Sequence, residues 1–524
     1  MLLLAYSKGS NSMASNYENK LYKDYEELII KFDALNKKLN NIVKEHQKEI
    51  KKLKKEHQKE IKQLNIKIKN LEKRNAKLEK ENKSLKQEIL RIKSKNNRDS
   101  SNSSKPSSTN GYKQVPSNNR EKSNKSAGGQ KGHLGTKLDN KVEPFYQSGD
   151  VEEQIIEINK NENNKNKHYI ERRIIDIKIT KLIKILKIYP DKKGNYPIPK
   201  YCTQNVVYGP NIKAVCTNLM NHLPNSTDGV ASFISDITNN GITLSKGTLI
   251  LWNKDLANRF VPVINNIDEG LNNSYYINHD ESQIKVNAEG ENILCACNDK
   301  YVRLWVHKHK SQEALKEIGF LTNYKGIIVK DGTELYNGFG LLLAQCNIHI
   351  SRYLKPFYTE IKHQAPKKLR EFFSKCIHRR DELIENDVTE FDSEEYNNLI
   401  HEYDAILDEW EKELREDINN HLFNDEYCLW RRLKYDNKQM DPDYRGDREE
   451  VLYFLKDFKV PVTNNNAESA QRPVKIKQKI GKFRSEEGAN TYAIIRSCIS
   501  TYKKQGTNVY KALVSAFKGI VALA

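Results

Sequence analysis

Three acidic residues, Asp280, Asp331 and Glu468, lie in contexts that favour metal-dependent phosphodiester chemistry. Asp280 lies in a β-like run, Asp331 precedes a glycine at the end of a buried-strand pattern, and Glu468 lies near the start of a helical pattern. Two divalent cations about 4 Å apart can activate a nucleophilic oxygen and stabilise the leaving oxygen. Carboxylate and water oxygens suit Mg²⁺ and Mn²⁺. The sequence therefore predicts a site for two Mg²⁺ or Mn²⁺ ions, bridged by Asp280 and completed by Asp331 and Glu468.

Glu468 belongs to a helix that is predicted to start at the asparagine run 464–466. Asn side chains can accept the unpaired N–H groups of a first helical turn. Arg472 lies one turn beyond Glu468 on the same face, and both Arg472 and Lys475 are candidate phosphate contacts. A short or kinked helix is expected, because Pro473 cannot sit unperturbed inside a helix. Taken alone, this pattern also fits a capped surface helix with an ion pair between Glu468 and Arg472.

The neighbouring acids Asp280 and Glu281 cannot both bind a metal directly, because alternation along a strand sends them to opposite faces. Asp280 is the preferred ligand since Asp is shorter and stiffer. A lone Asp in a strand or in an Asp-Gly turn is usually structural, so the assignment depends on the surrounding elements. His349 is a candidate for assisting phosphate or leaving-group chemistry, and a structural hydrogen-bonding histidine is the alternative.

The elements around these acids predict an α/β fold. Strands are expected at 275–286, 292–298 and 301–307, a helix at 311–321, a strand from 326 to a turn at 331–332, a short helix at 335–343 and a strand at 345–350. Close spacing of the first three strands favours an antiparallel meander. The order βββαβαβ is typical of a ribonuclease-H-like core, a mixed five-stranded sheet with flanking helices. In that architecture, acids on the first and fourth strands meet at one edge of the sheet.

The predicted core is split in sequence. Its first part occupies residues 271–358 and its last part, with Glu468 and C-terminal helices, occupies 461–524. Between them, residues 359–460 are strongly helical and charged, which indicates a helical insertion.

Residues 17–95 predict a long helix, because they are rich in Lys and Glu and contain no Pro or Gly. Apolar residues and two asparagines recur at heptad positions, and buried Asn favours a parallel dimer in fixed register. A tandem repeat of 11 residues, at 44–54 and 55–65, locally relaxes the left-handed supercoil. We expect a coiled-coil homodimer; the alternative is a solvated single helix.

Three further segments precede the core. Residues 96–140 are rich in Ser, Asn, Gly and Lys, which predicts a disordered basic linker that either follows DNA or acts as a tether. Residues 141–206 predict a small β-rich module. Residues 207–270 predict a helix-turn-helix-like DNA-binding region, with Ser245 as an N-cap and Lys246 on the exposed face of the second helix. An ordinary helix pair that supports the core fits the last pattern equally well.

Composition limits the class of protein. Lys and Arg number 88 against 69 Asp and Glu, a formal charge of +19, which favours nucleic acid as the partner. Apolar runs fall short of the roughly 18 residues that a membrane span needs. The eight cysteines are mostly scattered, which indicates reduced thiols and a cytoplasmic setting.

At these residues the chain resembles transposases of the insertion sequence sixty-six family, part of the DDE, ribonuclease-H-like group. The resemblance covers roughly residues 75–520. The matching motifs are Asp280-Glu281-Ser282, Asp331-Gly332 followed by Tyr336, Cys346-x-x-His349-x-x-Arg352, Asn464–Pro473, linker phrases at 102–108 and 128–135, His222-Leu-Pro and the block at 241–252. Ser469 replaces an arginine of the family pattern. Zinc is not expected, since the Cys pairs of the family's zinc module are missing from the region after the linker.

The resemblance implies a bacterial, nucleoid-associated DNA transposase. It implies Asp280, Asp331 and Glu468 as the catalytic acids, Arg352 as a further phosphate or DNA contact, and element ends and target DNA as partners, with possible helper proteins. One alternative is a ribonuclease-H-like nuclease that cuts DNA without joining it. Another is a non-catalytic DNA-binding coiled-coil protein derived from a transposase, in which the three carboxylates need not converge.

Overall fold

The computed structural model describes residues 14–96, 138–147, 149, 151–158, 160, 162, 168, 170–199, 202, 204–417, 424–436, 446–521 and 523. The chain divides into an N-terminal unit that ends at Lys93 and a second unit that starts at Ser94. No helix among these residues is long and apolar enough to cross a membrane.

The described part of the N-terminal unit belongs to helix α1 (Ala14–Asn96), 83 residues long, where the heptad pattern predicts a helix. Its apolar seam is exposed: Leu28, Leu35, Leu64 and Leu71 all remain accessible to solvent. An isolated helix has no core of its own, so its length depends on intrinsic propensity and on whatever covers the seam.

The predicted β-rich module at 141–206 is not found among the described residues of that segment. A short helix, α2 (Val142–Gln147), precedes residues that belong to neither helix nor strand. Isoleucines recur at alternate positions in this segment, and Ile177, Ile179 and Ile183 among them are exposed. Alternation produces a stable strand only where a neighbouring strand or layer covers its apolar face. The predicted linker falls largely on residues 97–137, which lie outside the described residues.

Four helices follow where helices were predicted: α3 (Pro210–Asn221), α4 (Thr227–Ile237), α5 (Lys246–Arg259) and α6 (Val261–Asn272). Ser245 is the N-cap of α5, and its hydroxyl accepts from the Thr248 N–H at 3.1 Å. Leu249 and Trp252 of α5 are buried, because a helix that packs on a core must bury an apolar stripe.

A mixed five-stranded sheet with flanking helices is confirmed. Its strands are β1 (Tyr276–Val286), β2 (Glu289–Cys297), β3 (Val302–His307), β4 (Ile327–Lys330) and β5 (Leu342–Gln345). The spatial order is β3-β2-β1-β4-β5, with β1, β2 and β3 antiparallel and β4 and β5 parallel to β1. Helices α7 (Gln312–Ile318) and α8 (Phe320–Asn323) form the crossover from β3 to β4.

The fifth strand lies earlier than predicted. The predicted helix at 335–343 is only a single 3₁₀ turn, Glu334–Tyr336, and β5 ends at Gln345. Residues predicted as strand 345–350 instead begin helix α9 (Asn347–Pro356). A short apolar run does not distinguish a strand from a buried helical turn, and here pairing with β4 selects the four residues before Cys346.

The insertion is helical, as predicted, and has its own core. It contains α10 (Ala365–Glu385), α11 (Ser393–Asp417), α12 (Asn424–Lys434) and α13 (Arg448–Lys456). Trp410 and Trp430 are buried in this core with Phe372 and Tyr403. The chain then returns to the sheet through α14 (Asn465–Ile480), α15 (Glu486–Lys504) and α16 (Val509–Phe517).

Candidate active site

Asp280 and Asp331 lie beside each other on neighbouring strands. Strands β1 and β4 are parallel, and Asn278 pairs with Val329. Asp280 and Asp331 each lie two residues further on, so alternation places both on the same face of the sheet as Asn278 and Val329. The antiparallel meander and the crossover helices thus bring together two acids that are 51 positions apart in sequence.

Glu468 reaches the same face because its helix is fastened to β1. The Asn464 side chain donates to the His279 carbonyl at 2.8 Å and accepts from the Asn278 amide at 3.1 Å. Asn464 is therefore fully buried and makes no side-chain cap bond to its own helix, contrary to the sequence-based expectation. Helix α14 continues through Pro473 for 16 residues in all, so of the two expected forms, a short helix or a kinked one, the short helix is wrong.

The neighbouring carboxylates are close enough to affect the protonation of Asp280. Burial, and after it the negative charges of Glu281, Asp331 and Glu468, together raise the pKa of Asp280 to about 7. Negative neighbours disfavour the ionised form of a carboxylate, whereas a positive charge close to it favours that form. The site therefore concentrates negative charge, and a bound cation would relieve that repulsion.

Glu281 lies on the opposite face of β1, as strand alternation predicts. The Tyr336 hydroxyl donates to its carboxylate, and Lys310 forms an ion pair with it. His279 Nδ1 lies 3.0 Å from the Tyr336 oxygen. Since Tyr336 gives its only proton to Glu281, His279 must donate from Nδ1, and burial lowers the pKa of His279 to about 3, which keeps the ring neutral. A chain of hydrogen bonds therefore fixes the strand behind Asp280.

Two members of this network, His279 and Lys310, did not emerge from the sequence. His279 directly precedes Asp280, so its inward-pointing position on β1 was a usable indication. Lys310 lies in the loop after β3, where no local pattern indicates a role. The Lys310 ammonium is held in its charged form: burial works against it, but the hydrogen bond and charge of Glu281 raise its pKa overall.

His349 and Arg352 lie on helix α9 rather than on a strand. His349 is buried, and its Nε2 lies 3.6 Å from Glu468 Oε1. Burial lowers the pKa of His349, but the hydrogen bond and charge of Cys346 and the charge of Glu468 outweigh it and raise the pKa to about 8. An imidazolium there attracts the Glu468 carboxylate. Arg352 lies one turn nearer the helix C-terminus, with its Nε buried and unpaired among the described residues.

The other predicted phosphate contacts lie at the surface. Arg472 is exposed and Lys475 half-buried, both on α14 beyond Glu468. Lys246 is exposed at the start of α5, and its ammonium lies 2.8 Å from the Asp228 carboxylate of α4. The structure places Arg472 and Lys475 on the helix that carries Glu468, whereas Lys246 belongs to the preceding helical region.

The donor chemistry of the site suits a hard divalent cation. Within the described residues, no group of three His, Cys, Asp or Glu side chains is gathered closely enough to hold one metal ion. Mg²⁺ is commonly bound by one or two carboxylates, with water and substrate phosphate as its other ligands. In a two-ion site that shares Asp280, each ion needs only Asp280 and one further carboxylate. Asp331 and Glu468 are the candidates for those two positions.

Comparison with known proteins identifies the family. Residues 231–491 match the family described as Transposase IS66 family. The chain belongs to this family. The matched region begins in α4 and ends in α15, so it contains Asp280, Asp331, Glu468 and the whole helical insertion. No curated protein matches the chain.

Proposed function

We propose that this member of the transposase family binds the ends of its own element and catalyses metal-dependent DNA cleavage and strand transfer. The observation that carries the proposal is the convergence of Asp280, Asp331 and Glu468, which come from separate parts of the fold, since the charges of Asp331 and Glu468 both raise the pKa of Asp280. The strand order and the position of each acid support a ribonuclease-H-like core, in which the third acid comes from the helix after the sheet.

The chemistry comprises two displacements at phosphorus. In the first, water attacks a phosphodiester and releases a 3′-hydroxyl at the element end. In the second, that hydroxyl attacks a phosphodiester of target DNA and displaces one strand in line. Two divalent cations, Mg²⁺ or Mn²⁺, would activate the attacking oxygen and stabilise the leaving oxygen. Asp280 would contact both ions, Asp331 one and Glu468 the other.

The surrounding residues hold these acids in place. Glu281, Tyr336 and His279 fix β1 behind Asp280. His349 faces the Glu468 carboxylate and restrains it. This contact favours a positioning role for His349 over the leaving-group role considered from the sequence.

DNA would lie across a basic surface. The formal charge of +19 favours a polyanion, and neutralising phosphates releases counterions and makes binding salt-dependent. Exposed Arg472, with Lys475 and Arg352, would meet the phosphates next to the acids. Lys246 and helix α5 would contact DNA outside the cleavage site. Such an enzyme would act on the bacterial nucleoid in the cytoplasm, alone or with helper proteins from the same element.

Helix α1 would form a parallel two-stranded coiled coil with a second copy. Its exposed leucine and isoleucine seam, interrupted by Asn75 and Asn82, supports this pairing. A dimer would also hold two catalytic units for the two ends of one element.

The decisive experiment measures cutting and joining with separate substrates. Asp280→Asn, Asp331→Asn and Glu468→Gln should each abolish Mg²⁺-dependent cleavage and strand transfer while leaving DNA binding intact. Glu313→Gln, a substitution at an exposed acid on α7, is the matched control and should behave like wild type. Pre-cut ends separate a transposase from a nuclease that cannot join. Normal cutting by any of the three acid variants would refute the assignment.

A further inference from the structure

The helical insertion reaches the turn that carries Asp331. Lys330, the last residue of β4, is completely buried, and its ammonium lies 2.7 Å from the Glu450 carboxylate of α13. The same ammonium donates to the Thr333 carbonyl at 3.3 Å. Lys330 therefore closes the turn around Asp331 from within the protein and ties it to the insertion.

A second contact comes from helix α12. Arg432 donates to the Gly332 carbonyl at 3.4 Å, directly after Asp331. Its guanidinium is held by Asp447, with Arg432 Nε 2.7 Å from Asp447 Oδ2. Asp447 is buried and also accepts from the Gln345 amide at 3.3 Å. Gln345 pairs with Lys330 across β4 and β5, so both contacts converge on one strand end.

The turn determines where the Asp331 carboxylate points. Asp331 Oδ1 accepts from the Thr333 N–H at 3.1 Å, so a movement of Thr333 moves the carboxylate. Metal ligands must be held within about 0.5 Å of their working positions. Lys330 and Arg432 fix the carbonyls of Thr333 and Gly332, the two residues that follow Asp331.

A contribution to stability does not by itself explain why Lys330 and Glu450 form a buried ion pair. Removing two charges from water is costly, and apolar residues of similar volume often give equal or greater stability. A well-packed Met and Leu could hold α13 against β4 but could not bond the Thr333 carbonyl. The main effect of Lys330 and Glu450 is therefore to fix the conformation of the turn, and not to stabilise the fold.

We propose that the helical insertion positions the Asp331 carboxylate through Lys330–Glu450 and Arg432–Asp447, which hold the turn after β4. Lys330, Glu450 and Arg432 are positioning residues; none is placed to touch the reacting atoms. The inference rests on the proposed function, since it gives Asp331 a metal ion to bind. On this proposal, the helical insertion helps to hold a metal ligand of the active site in place.

The test uses Glu450→Gln, Arg432→Met and the double variant Lys330→Met/Glu450→Leu in the full-length chain. The double variant removes the buried charges together and so preserves folding. Asp404→Asn is the matched control, because Asp404 joins α11 to Arg448 of α13 and does not touch the turn. Three quantities are measured: the thermal midpoint, Mn²⁺ binding by electron paramagnetic resonance, and the Mg²⁺ concentration that half-saturates cleavage.

All three test variants should bind Mn²⁺ about 10- to 100-fold more weakly, as substitutions behind metal ligands generally do. Their half-saturating Mg²⁺ concentration should rise in parallel, while DNA binding stays unchanged. The double variant is the most informative, because its thermal midpoint should match wild type while its metal affinity does not. The control should retain wild-type metal affinity.

Two results overturn the inference in different ways. If the folded double variant keeps wild-type Mn²⁺ affinity and Mg²⁺ dependence, the contacts only stabilise the fold and the proposal is wrong, although the enzyme still cuts. If the wild-type chain neither binds Mn²⁺ nor cuts DNA, the proposed function fails and the inference fails with it. Wild-type cutting that is lost in Asp331→Asn distinguishes the first case from the second.

Discussion

Asp280 and Asp331 lie side by side, but different parts of the chain support them. Behind Asp280, the supporting residues Glu281, Tyr336 and His279 belong to the sheet and its immediate connections. Around Asp331, the supporting groups come from the insertion, about 100 residues further along the chain. The first acid is fixed by the sheet itself, whereas the second depends on a separate helical core. A change in the insertion should therefore affect Asp331 before it affects Asp280.

The largest expected difference between the two acids is in how much an Asn substitution at each one changes the stability of the protein in metal-free buffer. The pKa of Asp280 is about 7, above its ordinary value of 3.8. Between about pH 4 and pH 7 the folded protein therefore holds a proton that the unfolded chain has lost, so stability falls as pH rises through this window. Asp280→Asn removes the penalty and should stabilise the protein by about 1–3 kcal/mol at pH 8, with little effect at pH 4.

Asp331→Asn should give a smaller gain at pH 8, because it removes only one of the charges that raise the pKa of Asp280. Chemical denaturation at both pH values, in chelator, measures the two variants side by side. Equal gains for the two variants would show that the charge of Asp331, and not the burial of Asp280, accounts for the raised pKa of Asp280.

The second-largest effect is expected for the hydrogen-bond network of Glu281, Tyr336 and His279 behind Asp280. Tyr336→Phe removes the donor to Glu281 and leaves the His279 N–H buried without an acceptor, which should cost about 1–3 kcal/mol. Tyr276→Phe is the control, since the Tyr276 hydroxyl donates to Asp299 in an exposed setting. Denaturant unfolding should separate the two variants clearly. A Tyr336→Phe protein as stable as the control would mean that the network does not hold β1.

The smallest effect is expected at the turn itself. Thr333→Ala removes the hydroxyl that accepts from the Leu335 N–H but keeps the backbone N–H that bonds Asp331. Stability should fall by about 1 kcal/mol or less, in the range of a lost cap, and the Mg²⁺ dependence of cleavage should not change. A Mg²⁺ requirement that rises as far as in Arg432→Met would show that the Thr333 side chain also orients Asp331, contrary to a role for the backbone of the turn alone.

The candidate acids were predictable because each has a local pattern. Period-two alternation separates Asp280 from Glu281, an Asp-Gly turn begins at Asp331 directly after β4, and an asparagine run lies at the start of the helix of Glu468. The role of Asn464 was not predictable in the same way. Its expected partner was a helical N–H, but tertiary packing buries it against β1, where the strand backbone offers a carbonyl and Asn278 a side-chain donor.

The errors occurred where local patterns fit two structures. The run before His349 fits either a strand or a helical turn, and only pairing with β4 placed β5 at Leu342–Gln345 and His349 on α9. The isoleucine alternation at 174–188 fits a strand, but a strand needs a neighbour, and the described residues there have none.

By itself the sequence determined the long N-terminal helix, the first four strands with the helical crossover before the fourth, and the residues that alternate toward one face of β1. These features depend on periodicity and turn chemistry, which act over a few residues. Only the tertiary structure decided which groups surround each acid: Lys310 and Tyr336 behind Asp280, His349 beside Glu468, and Lys330 with Glu450 and Arg432 around Asp331. Contacts between residues up to about 120 positions apart depend on how layers pack, and packing leaves no short-range pattern in the chain.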